Sequence, residues 1–458
     1  MPSVVLNRVE RGRYLDSVAL MRLSRRLAAL PGVEGAALMI GTPSNKGLLR
    51  DAGLLAADGE AAEANDIVIA VRAKDHGSAQ GALATAFDST PETPSNLFPR
   101  TRTLAGALDA LSRANLALIS VPGDFAAQEA RKALAAGLHA LVFSSGVPLE
   151  EERALKLLAK EKGLLLMGPD CGTALIAGMP IAFANAVPRG EIGIVSASGT
   201  GLQEVSCLVA RLGAGVSHGI GVGGRDLDER IGALGTLAAI DALEADGGTK
   251  TIVLLSKPPA PRVAERVLNH LKSCSKRTVV CFLGLDKPGL ARTLCEAAEM
   301  AAGRKLEEER FKKRKIKGRV QGLYCGGTLC SEAELAFRRL GLKGHSFVDL
   351  GGEEYTRGRP HPMIEPEMRN DHVARAGAAP EVGVILVDVV LGYGSHPDPA
   401  GVLLKKKITK TVVASVTGTD ADPQVRSRQV TRLREAGVLV APSNAHAAEW
   451  AASLVRPD

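Results

Sequence analysis

Two short stretches of small residues carry the clearest chemical signal. GIVSASGTGLQEV (193–205) and GLYCGGTLCSEAEL (322–335) each read as a strand, a small-residue loop and a helix. In open parallel sheets, ligands bind beyond the carboxyl ends of the strands. A loop of small residues there aims backbone N–H groups at an anion. The helix that follows adds about half a positive charge at its N-terminus. Ser196, Ser198, Gly199 and Thr200 form one such loop, and Gly326, Gly327 and Thr328 the other. Two of them on similar units predict helix ends that converge on one phosphate.

Other residues have types suited to a site. Asp170 and Cys171 lie in GPDCGT (168–173) at the end of an expected strand. A nucleophilic Cys171 needs a histidine partner and none is nearby in sequence, so a small buried thiol beside a substrate pocket is expected. GIGVGG (219–224) matches GxGxxG. The next segment is a poor helix start and lacks a clearly placed acidic residue about 20 positions on, so no dinucleotide site is expected. Arg225 and Asp226, which follow it, suit an anionic substrate. His361 stands between prolines in GRPHPMI, a context for a preorganised site or for an ordinary rigid turn. His396, Asp398, Asp420 and Asp422 sit in SHPDP and GTDADP, contexts of turns and caps rather than of a metal cluster, and no metal site is expected. No GxxxxGK[ST] occurs, so nothing supports P-loop binding of ATP.

The elements that must position these residues follow from composition and pattern. The chain has 458 residues, which at roughly 100–200 per domain gives three or four domains. Aromatics make up 3% against 45% hydrophobic residues, so the cores are built from Ala, Val, Leu and Ile, as in α/β proteins with buried parallel strands. Residues 1–90 read as a small ferredoxin- or ACT-like α+β domain. Its first helix, capped by Asp16 or Ser17, presents Val18, Leu20, Met21, Leu23 and Leu27 and ends at Pro31–Gly32. Segment 88–103 is rich in Pro, Ser and Thr and reads as a linker. Domain 91–187 then alternates strands and helices, and 188–302 and 320–458 repeat that alternation, which implies parallel sheets with right-handed crossovers. Residues 303–319, with nine basic and three acidic residues, read as a charged linker, and 445–454 as a closing helix. The fold class is therefore α/β, with several parallel-sheet Rossmann-like and flavodoxin-like domains.

The net charge of +7 is diffuse, and with one Trp and four Tyr it suits small anionic substrates better than nucleic acid. Seven cysteines without a CxxC pair imply a reducing, cytoplasmic setting. The first residues do not read as a signal peptide, and no apolar run approaches about 18 residues, so no membrane partner is expected.

GPDCGT, GIVSASGT, GVGGRDL and VPGDFAAQEARKALAAGLHALVFSSGVP resemble segments of the succinyl-CoA synthetase α subunit. GLYCGGT, FVDLGG, VGVILVDVVLGYG and VVASVTGTDAD resemble the carboxyl-terminal domain of its β subunit. RYLDSVALM, MGPDCGTALIAG, IGIVSASGTGLQEVS, IGVGGRDL, LLSKPP, GRPHPMI, DVVLGYGSHPDPAG and DPQ make nearly the whole chain similar to the FdrA family, named acyl-CoA synthetases by homology. Three departures from succinyl-CoA synthetase stand out. GLDKPGLARTL (284–294) holds no histidine where that enzyme carries its phosphohistidine. The ATP-grasp domain is absent. SNLFPRTRTLAGALDALSRANLAL replaces the Gly-rich turn that opens the CoA-binding unit.

The resemblance implies carbamoyl transfer between carbamoyl phosphate and oxamate, giving oxalurate and phosphate, as in allantoin breakdown. The helix termini would stabilise the phosphate. Arg225, Lys257 or Arg359 would neutralise phosphate or the oxamate carboxylate, and His361 would move a proton. This reading requires no cofactor and implies a homo-oligomer, or a hetero-oligomer with other carbamoyltransferase subunits. The alternatives are a CoA-binding acyl-CoA synthetase that needs an ATP-grasp partner, and a non-catalytic scaffold subunit.

Overall fold

The structure, a computed structural model, describes residues 3–13, 15, 17–88, 101, 103–307, 311, 315–356, 361–405 and 408–455. Most of the expected linker 88–103, part of 303–319, Arg359 and the capping side chains at 16–17 lie outside the described residues. The chain divides into two compact units, one over residues 1–151 and the other over 152–357 and 361–458.

The first unit opens with β1 (Val4–Glu10), α1 (Ser17–Ala28), β2 (Val33–Ile40), α2 (Pro43–Asp51), α3 (Ala57–Glu60), β3 (Ile67–Ala73) and α4 (His76–Ala84). β3 lies between β1 and β2 and runs antiparallel to both, the split β-α-β of a ferredoxin-like fold. Its residues are buried on both faces. Ile67, Ile69 and Val71 pack with Leu20, Leu23 and Leu27 of α1. Val68 and Ala70 pack with Leu49 of α2 and with Leu54 and Ala62. Alternate side chains of a strand point to opposite faces. A continuous apolar run is therefore what a sheet covered on both sides requires. Next come α5 (Leu104–Ala110), β4 (Leu116–Ile119), α6 (Gly123–Ala135) and β5 (His139–Val142), with β4 and β5 parallel. The boundary between the units falls within α7 (Leu149–Glu161).

The second unit continues with β6 (Leu166–Met167), β7 (Thr173–Ile176), β8 (Met179–Ala182), β9 (Ile192–Ser196), α8 (Gly199–Arg211), β10 (Val216–Gly221), α9 (Leu234–Ala245), β11 (Thr251–Ser256), α10 (Pro261–Leu271), β12 (Arg277–Phe282) and α11 (Leu294–Ala302). β12, β11, β9 and β10 form a parallel sheet in that order, and the hairpin β7–β8 adds two antiparallel strands beside β10. The expected division at 187/188 thus cuts this sheet. The hairpin belongs with the strands that follow it, because β7 pairs with β10 through Leu175 and Gly219.

The remaining elements are β13 (Arg319–Tyr324), α12 (Gly327–Arg339), β14 (Ser346–Asp349), α13 (Glu353–Thr356), α14 (Glu367–Ala378), β15 (Val382–Val390), α15 (Pro399–Leu403), β16 (Thr411–Thr417), α16 (Arg426–Glu435), β17 (Leu439–Ala441) and α17 (Asn444–Val455). Their sheet is wholly parallel, in the order β14-β13-β15-β16-β17. Both sheets have flavodoxin-like order, with the first strand of each (β9 or β13) at the point where the winding reverses. Crevices open at such points.

One core joins the two sheets. Leu202 and Val205 of α8, Ala297 and Ala298 of α11, Leu329, Ala333 and Phe337 of α12, and Ala448 and Ala451 of α17 all belong to it. Buried polar bonds fix the register. Asn444 N donates to Glu204 Oε1 at 3.0 Å, Asn444 Nδ2 to Glu332 Oε2 at 2.7 Å, and Gln203 Nε2 to Asn185 Oδ1 at 3.0 Å. The closing helix, α17, is a residue longer at each end than expected. Within 303–319, Phe311 stacks on Trp450 with ring centroids 4.4 Å apart, and Ile316 N donates to Leu454 O at 2.8 Å. That segment is therefore tied down in places rather than simply solvated. Among the described residues, no helix is long and apolar enough to cross a membrane.

Candidate anion site

The two small-residue loops meet. β9 is buried along its length, and Ser196 at its end bonds within the turn, its Oγ accepting from Ser198 N at 3.1 Å. Ser198 then caps α8 by accepting from Gly201 N at 2.9 Å. The same Oγ donates to Thr328 Oγ1, in the first turn of α12, at 2.5 Å. The contact is reciprocal: a β-carbon on Gly326 would stand 2.9 Å from Thr200 Cγ2, so only glycine lets the two helix starts approach this closely. Thr200 and Thr328 occupy equivalent places, two residues past the caps Ser198 and Gly326. Gly199, at the start of α8, abuts Thr173.

Gly326 has no side chain to cap α12. Asp388, buried near the end of β15, instead holds the loop that leads into the helix. It accepts from Cys325 N at 2.8 Å and from Gly326 N at 2.7 Å. Arg369 of α14, also buried, pairs with it at 3.1 Å. Burial raises the Asp388 carboxyl above its usual range, while Arg369 and the two N–H groups pull it back. A buried charge persists only when paired and hydrogen-bonded, and this pair holds the β13–α12 loop in place.

Three further side chains converge on the start of α12. Lys257, just past β11, is exposed, and among the described residues no carboxylate lies within ion-pair distance of its ammonium. A β-carbon on Gly327 would stand 2.9 Å from Lys257 Nζ and 2.3 Å from Asp349 Oδ2. Burial raises the half-buried Asp349 carboxyl, and Lys257 and the Gly351 and Gly352 N–H groups oppose this. His361 lies over Gly351, where a β-carbon would be 2.5 Å from Nε2. Its Nδ1 accepts from Met363 N at 3.2 Å, which assigns the ring proton to Nε2. Burial pushes its pKa down to about 4. His361 is therefore a neutral imidazole near neutral pH, with its N–H at Nε2.

Asp170 and Arg225 stand together, apart from Cys171 and Asp226. Asp170 has a left-handed backbone (φ 57), a conformation costly for most non-glycine residues. Its side chain reaches solvent. Local desolvation raises its pKa, Arg225 and Lys257 lower it, and Glu353 and Glu152 raise it further. Arg225 is held by an ion pair of 2.7 Å to the buried Glu152. Asp226 is not available to a substrate: it is wholly buried. It accepts from Lys156 Nζ at 2.6 Å, from Gly235 N at 2.9 Å, and from Thr236 N at 2.7 Å. Its work is to pin the start of α9 and to balance Lys156. Cys171 is buried as well, its Sγ set on the carbonyl oxygens of Thr173 and Gly221, and burial raises its pKa to about 12. It is the small buried thiol that the sequence leads one to expect, packed within the loop. The GxGxxG match has the same cause, since a β-carbon on Gly221 would lie 2.4 Å from Thr173 O and 2.6 Å from Cys171 Sγ.

The residues weighed as metal ligands serve turns. His396 Nδ1 accepts from Asp398 N at 3.0 Å, and Asp398 caps α15. Asp420 accepts from Ser427 N at 2.6 Å, and Asp422 accepts from Asn185 Nδ2 at 2.8 Å and Ala186 N at 2.7 Å. The sequence reading missed Asp388, Arg369, Asp349, Glu152 and Lys156. The signal for Asp388 was present: a lone carboxylate inside the apolar run VGVILVDVVLG must have a partner.

Residues 323–454 match a family model described as CoA-ligase, and residues 3–95 one described as AllF, heavy metal-associated domain. The Escherichia coli K12 protein YahF is 41% identical, over 94% of this chain and 95% of that protein. The succinate–CoA ligase α subunit 2 of Archaeoglobus fulgidus is 31% identical over 38% of this chain and 61% of its own length. The malate–CoA ligase α subunit of Methylorubrum extorquens is 26% identical over 42% of this chain and 69% of its own length. The metal that the heavy metal-associated description implies does not fit the residues present. Positions 3–95 contain no cysteine, and among the described residues no cluster of His, Cys, Asp and Glu could hold a metal. The chain belongs to the family of Escherichia coli YahF, with a small heavy metal-associated-type domain ahead of succinyl-CoA-synthetase-like α/β units that end in a CoA-ligase domain.

Proposed function

We propose that this chain binds the phosphoryl end of an acyl phosphate, and that it transfers the carbamoyl group of carbamoyl phosphate to oxamate. The observation that carries the reading is the meeting of two helix starts at Ser198 and Thr328, with Lys257 beside them. Preorganised N–H dipoles and a cation stabilise charge as it develops on a leaving phosphate. The oxamate nitrogen attacks the carbamoyl carbon, and His361 Nε2–H donates to the carbonyl oxygen as it gains charge. The C–O bond then breaks, and phosphate departs with the electron pair into the cradle. Arg225, held by Glu152, takes the oxamate carboxylate. No phosphohistidine is called for, in keeping with the absence of histidine from 284–294. The seven free thiols suit a cytoplasmic setting. Because the relatives are named as subunits, a partner subunit is part of the proposal.

The family match favours a second reading, an acyl-CoA ligase subunit that relies on partners for ATP and CoA. One assay separates the two. Carbamoyl phosphate and oxamate are supplied to the purified chain, and phosphate and oxalurate are measured. Equal amounts of both products, formed only with oxamate present, support the transferase. Products that require CoA or ATP support the ligase.

A further inference from the structure

Asp349 stands where a bound phosphate would press against it. It ends β14, the neighbour of β13, so its carboxylate overhangs the start of α12 at Gly327. Oδ1 accepts from Gly351 N at 3.0 Å, and Gly351 is the residue His361 covers. Lys257 from the end of β11 shares the Gly327 neighbourhood with it, His361 covers Gly351, and Asp388 from β15 and the thiols of Cys325, before α12, and Cys330, in α12, are close enough to feel its charge. For binding alone, a carboxylate beside a dianion is a handicap. The proposed chemistry needs a proton acceptor at that point: an amide nitrogen that attacks must lose a proton, and a departing phosphate gains one.

We propose that Asp349 is the catalytic residue that carries this proton, an inference that rests on the acyl-phosphate reading. The oxamate nitrogen forms the new C–N bond and gives its proton to the Asp349 carboxylate. The C–O bond to phosphorus breaks, and its electron pair leaves with the phosphate. Asp349 then returns the proton to a phosphate oxygen, which leaves hydrogen phosphate and an ionised carboxylate ready for the next turnover. One carbamoyl group and one proton change places, and no other reactant is consumed. Lys257 keeps Asp349 ionised between turnovers and receives the phosphate as it departs.

Two measurements on the full-length chain test this: phosphate affinity by titration calorimetry, and oxamate-dependent release of phosphate from carbamoyl phosphate. Asp349→Asn keeps an acceptor for the Gly351 N–H. It is expected to bind phosphate about tenfold more tightly, because a like charge is gone, and to transfer about 100-fold more slowly. Asp349→Glu, which keeps the proton carrier on a longer arm, is expected to retain more transfer than Asn and guards against a folding defect in one variant. Unchanged transfer by Asp349→Asn, or unchanged phosphate affinity, overturns the inference and leaves the cradle standing. Wild-type chain that binds phosphate but releases none with oxamate removes the transferase reading and the inference with it. Wild-type chain that binds no phosphate removes the cradle itself.

Discussion

Ser198 Oγ donates to Thr328 Oγ1 at 2.5 Å, which ties together the first turns of two helices 130 residues apart in sequence. The bond makes one site from two sheets. Thr328→Val keeps the shape and removes the hydroxyl. It is expected to weaken phosphate binding about tenfold and to lower stability by about 1 kcal/mol, the net worth of one hydrogen bond. Thr200→Val is expected to weaken phosphate binding similarly, with less effect on stability. Calorimetric titration and thermal melting read both quantities.

His361 is expected to act through its N–H. Its depressed pKa of about 4 keeps it neutral in the folded protein where an ordinary histidine would be charged. The unfolded chain binds the extra proton below about pH 6.5. This residue's contribution to stability is thus present above that pH and lost as the pH falls toward 4. His361→Gln, which can place an amide N–H near the Nε2 position, is expected to keep most of the transfer rate. His361→Ala is expected to lose about 100-fold, the loss typical of a missing oxyanion donor. Equal loss in both variants would restore a proton-moving imidazole.

The Asp388–Arg369 pair should govern stability as well as the site. Asp388→Ala leaves the buried Arg369 guanidinium without its carboxylate and two backbone N–H groups without their acceptor. Breaking a buried pair in this way costs about 3–5 kcal/mol. Denaturant unfolding measures the loss. A change below about 1 kcal/mol, the scale of an exposed pair, would mean that the pair does not hold the loop.

Glu332 gives a pH signature at the seam between the two sheets. Burial raises its pKa to about 7, against the bonds it accepts from Asn444 and the Leu294 N–H. A carboxyl whose folded pKa is raised favours the folded state at low pH, and that contribution is lost as the pH climbs from about 4.5 toward 7. Subtracting the stability–pH curve of Glu332→Gln from that of the wild type should show this fall, on the order of 3 kcal/mol across the window. A flat difference would mean that Glu332 titrates alike in the folded and unfolded chain.

The parts of this molecule legible in its sequence are those made locally. Each cradle loop is a strand end, a few small residues and a helix start, all within about a dozen positions, and the pattern states itself. Partners drawn from distant segments were not legible. Asp226 sits next to Arg225 in sequence, yet it is buried on Lys156 while Arg225 faces Asp170. Neighbours in an irregular loop do not share a face as residues on a strand or helix do. Asp388 and Asp349 lie at sheet positions otherwise read as core, and their purpose appears only when β13 lies between β14 and β15. Chain order alone groups the hairpin β7–β8 with the preceding domain, but strand order decides which sheet receives it.

The most direct test of the cradle is the melting temperature of the purified chain with phosphate, carbamoyl phosphate, oxamate, CoA and ATP in turn. A ligand at 100 times its dissociation constant adds about 2.7 kcal/mol, enough to move a melting curve. Phosphate and carbamoyl phosphate should raise the melting temperature of the wild type, with CoA and ATP inert, and should fail to do so in a Thr200→Val, Thr328→Val double variant. A wild type that responds to CoA and ignores phosphate would contradict the account.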